Sequence, residues 1–250
     1  MDRWVSHPAP RPEAPIKLFC FPYAGGGASA FRQWAPRLAG AEVAAVQLPG
    51  RENRLGERPI DAMDRLVDAL RNGLAAHLDD RPFAFFGHSM GARIAFALTK
   101  RLQGAGDRLP VRLFASASPA PWLQVPETAW RQSDDELLAW LTGLGGTPPE
   151  VLASPDLMRL MLPTIRADLT VGATWTYRLD QPLPIGIRAF AGTADEYATP
   201  ERARAWARET AAGCDVTVLD GGHFFVHEKV GEVLDIVDSD LCAVLDGAHR

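Results

Sequence analysis

Short apolar runs closed by Gly, Pro or Ser recur along the chain and alternate with longer stretches whose apolar positions repeat at helical spacing. Ile16 to Phe21, Val43 to Leu48, Phe83 to Phe86, Val111 to Ser116, Ile185 to Ala191 and Val216 to Leu219 read as six strands. Their apolar positions run on continuously instead of alternating, which predicts burial on both faces. Ala30 to Leu38, Met63 to Leu78, Met90 to Leu102, Pro200 to Thr210 and Val230 to Leu245 read as helices between them. Strand and helix in alternation predict an α/β fold, a mainly parallel sheet covered by helices on both faces, with chemistry at the carboxyl ends of the strands. Residues 1–15 carry Pro8, Pro10, Pro12 and Pro15 without an apolar core and read as a mobile Pro-rich arm, leaving 16–250 as a single domain.

One interval breaks the rhythm. Almost seventy residues separate Ser116 from Ile185 with helix signals and no strand, which predicts an insertion over about 120–183. Ser133-Asp134-Asp135-Glu136 has capping-box spacing ahead of Leu137, Leu138, Trp140 and Leu141, and Ser154-Pro155 opens a second helix carrying Met158, Met161, Leu162 and Ile165. This insertion is either additional core packing or a mobile apolar lid over a pocket at the sheet edge, where the adaptable side chains of Met158 and Met161 would suit chains of varying shape.

Composition narrows the class. The 47% hydrophobic and 23% charged content is that of an ordinary globule, and a net charge of −5 gives no basic field for nucleic acid or anionic membrane. Cys20, Cys214 and Cys242 show neither disulfide nor zinc spacing, so no structural metal is expected and a reducing, cytoplasmic setting is. Neither a signal peptide nor an apolar stretch of membrane-spanning length is apparent.

The chemistry gathers at Gly87-His88-Ser89-Met90-Gly91, between the Phe83–Phe86 strand and a helix. The pattern is G-x-S-x-G, in which a sharp strand-to-helix reversal exposes the serine and the glycines avoid collision with neighbouring backbone. A serine hydroxyl needs a base, and the base needs an acid to fix its tautomer. Among six histidines, His223 follows Asp220-Gly221-Gly222 directly after the last strand and is favoured over His227, four residues on. Asp195 stands after the strand ending at Ala191, with Glu196 as its rival. Asp195 lies 106 residues after Ser89 and His223 a further 28, which is the order nucleophile, acid, base with room for the insertion. Backbone N–H groups of Met90 and of Ala24, in the loop Tyr23-Ala24-Gly25-Gly26-Gly27, are the candidate oxyanion donors. That loop completes neither G-x-x-x-x-G-K-[ST] nor G-x-G-x-x-G, so a nucleotide site is not expected. Arg51, Arg54 and Arg58 are either solvated charges or a local basic patch for an acidic partner.

Phe21-Pro22-Tyr23-Ala24-Gly25-Gly26, Gln47-Leu48-Pro49-Gly50-Arg51-Glu52, the serine elbow, Gly192-Thr193-Ala194-Asp195 and Gly221-Gly222-His223-Phe224-Phe225 together resemble the landmarks of the free-standing type II thioesterases of polyketide and nonribosomal peptide assembly lines, within the α/β-hydrolases. The resemblance spans about 16 to 246. It implies an α/β-hydrolase fold and hydrolysis of stalled or aberrant acyl groups from the phosphopantetheine arm of carrier proteins, with Ser89 as nucleophile, Asp195 as acid and His223 as base. Tyr23, Met158, Met161 and Phe224 would bind substrate. It further implies no resident cofactor, since the partner carries the phosphopantetheine, and a monomer that docks transiently. Asp220 replaces a common Pro and Ala198 a common valine. Rival readings are an esterase, lipase or acyltransferase acting on oxygen esters, and a non-catalytic carrier-docking or ligand-binding protein on the same fold.

Overall fold

The computed structural model describes residues 3–126, 128–146 and 154–248; residue 127 and residues 147–153 of the predicted insertion lie outside the described residues. Seven strands form one sheet: β1 (Val5–Ser6), β2 (Ile16–Phe21), β3 (Ala41–Val46), β4 (Phe83–His88), β5 (Arg112–Ser116), β6 (Gly186–Gly192) and β7 (Cys214–Leu219). Their order is β1-β3-β2-β4-β5-β6-β7, and only β1 runs antiparallel to its neighbour. The chain enters at β2, adds β3 on one side, then crosses back to place β4 on the other. The loops leaving β2 and β4 therefore diverge, and a crevice opens at their carboxyl ends.

Every residue of β2, β3 and β4 is buried, as continuous apolar runs require. Phe19, Phe21, Phe83 and Phe85 face a layer that includes helices α1 (Met63–Leu74) and α2 (Met90–Ala105). Leu18, Cys20, Ala84 and Phe86 face the opposite layer, where helix α7 (Val230–Ala248) supplies Val233, Leu234, Val237 and Leu241. Between these helices lie α3 (Asp134–Leu144), α4 (Pro155–Thr174), α5 (Pro200–Arg204) and α6 (Phe225–Glu228). Phe85 packs edge-on to Phe19 and Phe21, with ring centroids 6.0 and 5.1 Å away. Burying one such ring contributes about 1.5–3 kcal/mol.

Three expectations change. Of the expected arm, the described residues 3–15 are tied to the domain, because Val5 and Ser6 pair with Val46 and Ala45 as an edge strand, giving seven strands instead of six. Trp4 lies over the Arg54 guanidinium at 4.1 Å and fills the space that Gly73 leaves open, and Arg81 donates to the carbonyls of Arg11, Pro12 and Ala14. Ala30 to Leu38 is not an α-helix but a 3₁₀ turn over Ala28–Phe31 followed by further turns. Phe31, Trp34, Ala35 and Leu38 are buried at helical spacing, but Pro36 has no N–H to continue the ladder and its ring would crowd the preceding turn. The stretches from Met63 and Pro200 likewise tighten into 3₁₀ turns at Ala75–His77 and Ala205–Glu209.

The insertion holds α3 and α4. Ser133 Oγ accepts from the Glu136 backbone while Glu136 accepts from the Ser133 N–H, completing the predicted capping box, and Ser154 caps α4 with Pro155 in its first turn. The two helices share a small core of Ala129, Leu137, Leu141, Met158, Leu162 and Ile165. The helix pair packs around this small core and also borders the crevice, Leu141 and Ile165 belonging to both.

Candidate active site

Ser89 sits at the turn from β4 into α2 with φ 55° and ψ −116°, a conformation that L residues rarely adopt. A Cβ on Gly87 would overlap the Gly91 carbonyl, and one on Gly91 would overlap the carbonyl of Phe21 in β2. The two glycines let strand, elbow and helix lie this close. The Ser89 N–H donates to the Ser116 carbonyl at 2.7 Å, fastening the elbow to the end of β5.

The loops after β6 and β7 bring two side chains to this serine. His223 Nε2 lies 3.0 Å from Ser89 Oγ, and His223 Nδ1 lies 2.8 Å from Asp195 Oδ2. An ionised carboxylate only accepts, so Nδ1 carries the proton and the Nε2 lone pair faces the serine hydroxyl. Asp195 Oδ1 accepts the backbone N–H groups of Tyr197 and Ala198, both at 2.9 Å. Burial pushes the Asp195 carboxyl upward, but the His223 bond and field and these two amides outweigh it and hold the group below its ordinary range. Glu196 is exposed. His227 instead stacks on Phe224 at 5.8 Å, and burial holds its imidazole below the ordinary value. Of the two family departures, Ala198 is fully buried and supplies one of the amides to Asp195, while Asp220 accepts from Thr193 Oγ1 at 3.0 Å and braces the acid loop against the base loop.

Sequence reasoning passed over His88. Its Nε2 faces the His223 carbonyl at 3.1 Å, which can only accept, so Nε2 bears the proton and Nδ1 accepts from Ser116 Oγ at 2.9 Å. Burial first, then the fields of His223 and His227, hold its pKa well below the ordinary imidazole value. A neutral His88 thus fixes the backbone of the base.

Met90 opens α2, so its N–H has no acceptor within the helix. Ala24 borders the same cavity, in a loop where Gly25 takes φ +77° and Gly26 N–H donates to the Tyr23 carbonyl at 2.9 Å. The loop is gripped from outside. Asp168 on α4 accepts from the Gly25 N–H at 2.8 Å and from both Arg51 terminal nitrogens at 2.6 and 2.7 Å, and Arg51 also donates to the Gly26 carbonyl at 3.0 Å. Arg51 is therefore neither solvated nor available to a partner. Arg54 is also buried, against Glu57, the Gln47 carbonyl and Trp4, and only Arg58 of the three is exposed.

These groups open into a cavity of about 1010 Å³ between the sheet and α3 and α4. Ser89, His223, Tyr23 and Phe224 border it together with Met161, Leu157, Leu160 and Trp140 of the insertion. Tyr23 and Phe224 meet edge-to-face at 5.0 Å. Met158 does not line the cavity as expected. It points with Leu162 and Ile165 into the small core against α3, because positions four and seven apart share a helix face. Among the described residues, no cluster of three or more His, Cys, Asp or Glu is placed to hold a metal, and no helix is long and apolar enough to cross a membrane.

A strained serine elbow between a parallel strand and a helix, met by a histidine and a carboxylate from later strand ends, is the arrangement of the α/β-hydrolases. A thioesterase-domain model matches residues 16–241, and the chain belongs to that family. Its backbone superposes with a TM-score of 0.87 on the type II thioesterase BorB of the borrelidin biosynthetic cluster, at 38% identity over 95% of this chain and 97% of the other. The RedJ thioesterase of the prodiginine pathway in Streptomyces coelicolor gives 0.87 at 37% identity, covering 94% and 95%. A relative from Brevibacillus parabrevis, 37% identical over 98% of this chain and 95% of its own length, bears the name linear gramicidin dehydrogenase LgrE. The glycine loop after β2 does not complete G-x-G-x-x-G, and it leads into a 3₁₀ turn instead of the α-helix whose N-terminus would receive a dinucleotide's pyrophosphate.

Proposed function

We infer that this enzyme hydrolyses acyl thioesters held on the phosphopantetheine arm of acyl or peptidyl carrier proteins in polyketide or nonribosomal peptide assembly, clearing stalled or aberrant acyl groups. The observation that carries the reading is the chain Ser89–His223–Asp195, with links of 3.0 and 2.8 Å, at the wall of a cavity roofed by apolar helices. The pathway settings in the names of BorB and RedJ support a carrier-bound substrate.

In this reading His223 Nε2 takes the Ser89 proton as Oγ attacks the thioester carbonyl, and the Met90 and Ala24 N–H groups hold the resulting oxyanion. His223 then protonates the departing sulfur, the carrier leaves as its free thiol, and the acyl group remains on Ser89. A water molecule gives a proton to His223, attacks the acyl-serine and releases the carboxylic acid as the proton returns to Ser89 Oγ. The sequence needs proton transfers alone, so the chain requires no resident cofactor. Asp195 keeps Nδ1 protonated throughout and stabilises the imidazolium.

The test compares one short acyl group on a phosphopantetheinylated carrier protein with the same group on a simple oxygen ester, using Ser89→Ala as the blank. The expected result is Ser89-dependent turnover that strongly prefers the carrier thioester. Preference for the oxygen ester would move the enzyme to the esterases, and labelling failure at Ser89 with a serine-reactive phosphonate would remove catalysis altogether.

A further inference from the structure

The turn that carries Ala24 is gripped from the insertion, and the hydrolysis steps leave that grip without a task. Gly26 N–H closes onto the Tyr23 carbonyl at 2.9 Å, with Gly25 at φ +77° and Ala24 on the ordinary negative side, the arrangement of a type II turn. Such a turn has one internal freedom. Its central peptide can flip, so that the Ala24 carbonyl and the Gly25 N–H exchange sides while the closing bond persists, and glycine at the third position permits both forms. Asp168 decides between them, because its carboxylate accepts the Gly25 N–H at 2.8 Å and the flipped turn would set a carbonyl oxygen against it. Ile165, one turn earlier on α4, closes the same side: a Cβ on Gly25 would lie 2.8 Å from its Cγ1. The next stretch of the loop is held by residues that follow β3 instead, Ala28 N–H by Gln47 at 2.7 Å and Ser29 by Glu52. The turn thus takes its shape from α4.

Charge points the same way. Asp168 is only 2% exposed and borders the cavity, where a bare carboxylate would oppose an oxyanion forming on the substrate. Arg51 cancels that charge with bonds of 2.6 and 2.7 Å, and the Gly25 N–H still keeps its acceptor. A buried ion pair contributes little stability beyond what apolar residues of the same volume would supply. Stability therefore does not account for the pair, whereas an electrically neutral acceptor for one chosen N–H does. We propose that Asp168 is a positioning residue for the hydrolysis: from the roof helix it fixes the Ala24–Gly25 peptide, keeps the Gly25 N–H out of the oxyanion hole and holds the turn so that the Ala24 N–H points into it. The inference rests on the hydrolase reading of the site and on Ala24 as oxyanion donor.

The test compares two double variants, Arg51→Met/Asp168→Asn and Arg51→Met/Asp168→Leu. Both remove the buried charges, and they differ in whether Gly25 keeps an acceptor. Each is assayed on one acyl N-acetylcysteamine thioester, well below its unfolding midpoint. kcat should be about 10–100-fold lower in the Asp168→Leu double than in the Asp168→Asn double, with KM changed by less than about threefold, the signature of a misplaced transition-state donor. Affinity for a trifluoromethyl ketone analogue, whose adduct with Ser89 places an oxyanion in the hole, should fall by the same factor as kcat. Equal kcat in the two doubles, or a difference confined to KM, would overturn the proposal and leave Asp168 a structural brace. Should the Asp168→Leu double fail to fold, the wild-type enzyme decides by amide proton resonance: on forming the ketone adduct the Met90 and Ala24 signals should move downfield while that of Gly25 keeps its place. Movement of Gly25 in place of Ala24 would overturn the proposal. Absence of Ser89-dependent turnover of the thioester by wild type would overturn the hydrolase reading, whereas equal doubles overturn this inference alone.

Discussion

Ser89 holds a backbone conformation that costs on the order of 1–3 kcal/mol, and its surroundings leave it no alternative. Its N–H is tied to β5, and its flanking glycines are pressed against Phe21 and against each other. What the strain secures is a half-buried hydroxyl at the cavity wall aimed at His223 Nε2, and that aim depends on Asp195. In Asp195→Asn the amide oxygen can still accept from Tyr197 and Ala198, but its NH₂ faces Nδ1 and forces the proton onto Nε2, where it opposes the serine hydroxyl. We expect kcat to fall by about 10³–10⁴-fold with the fold intact; steady-state kinetics beside a far-UV spectrum check it, and a loss under tenfold would reassign the acid. Ser89, Asp195 and His223 were readable because each follows a strand end with glycine punctuation. His88 and Asp168 were not, since nothing in their local sequence says that a folded chain will bring His223's carbonyl to one and Gly25's amide to the other.

At the scale of elements, α4 does two things at once. Its first turns roof the cavity with Leu157, Leu160 and Met161, while its later turns are fastened to the loops beneath. Thr164 Oγ1 donates to the Gly50 carbonyl at 2.7 Å, and Asp168 joins Arg51 and Gly25 four residues on. The roof and the glycine loop after β2 are thus one braced unit. Arg51→Met leaves a buried carboxylate with one amide partner and should destabilise the protein by about 3–5 kcal/mol. Adding Asp168→Asn removes the stranded charge while keeping an acceptor for Gly25, so the double variant should be more stable than Arg51→Met alone. Urea denaturation of the three proteins measures this, and strictly additive losses would mean the pair is not coupled. Element existence was legible from apolar periodicity, including the caps at Ser133 and Ser154. The errors have local causes: Pro36 stops a helix whose buried positions still repeat at helical spacing, and β1 is two residues whose pairing depends on Trp4 packing far along the chain at Gly73 and Arg54.

For the whole molecule, the reversal of strand order between β2 and β4 gathers the glycine loop, the elbow and the later acid and base loops at one edge of the sheet. That edge is built around imidazoles kept neutral. Burial is the leading cause that holds His88 well below its ordinary value of 6.5, and it lowers His227 beside the site and His7 at the far end of the sheet. The unfolded chain takes up protons on these residues near pH 6.5 and the folded chain only at lower pH, so in that window the unfolded state binds more protons and stability falls as pH drops below 6.5. His88, fully buried and with both ring nitrogens committed, contributes a slope of up to about 1.4 kcal/mol per pH unit in that window. Asp195 and Glu42 act lower: their carboxyls are held below their ordinary values against the upward push of burial, by His223 and two amides in one case and by Arg81 and the Arg11 N–H in the other. Their contribution is complete above the usual carboxylate range and disappears as pH falls through it. Urea midpoints measured from pH 8 to 3 should therefore be level above 7, decline from 6.5 downward and decline again below 4. In His88→Gln, less stable overall, the first decline should be shallower than in wild type; an unchanged slope would mean that His88 takes up its proton in the folded state, and the neutral brace behind His223 would have to be abandoned.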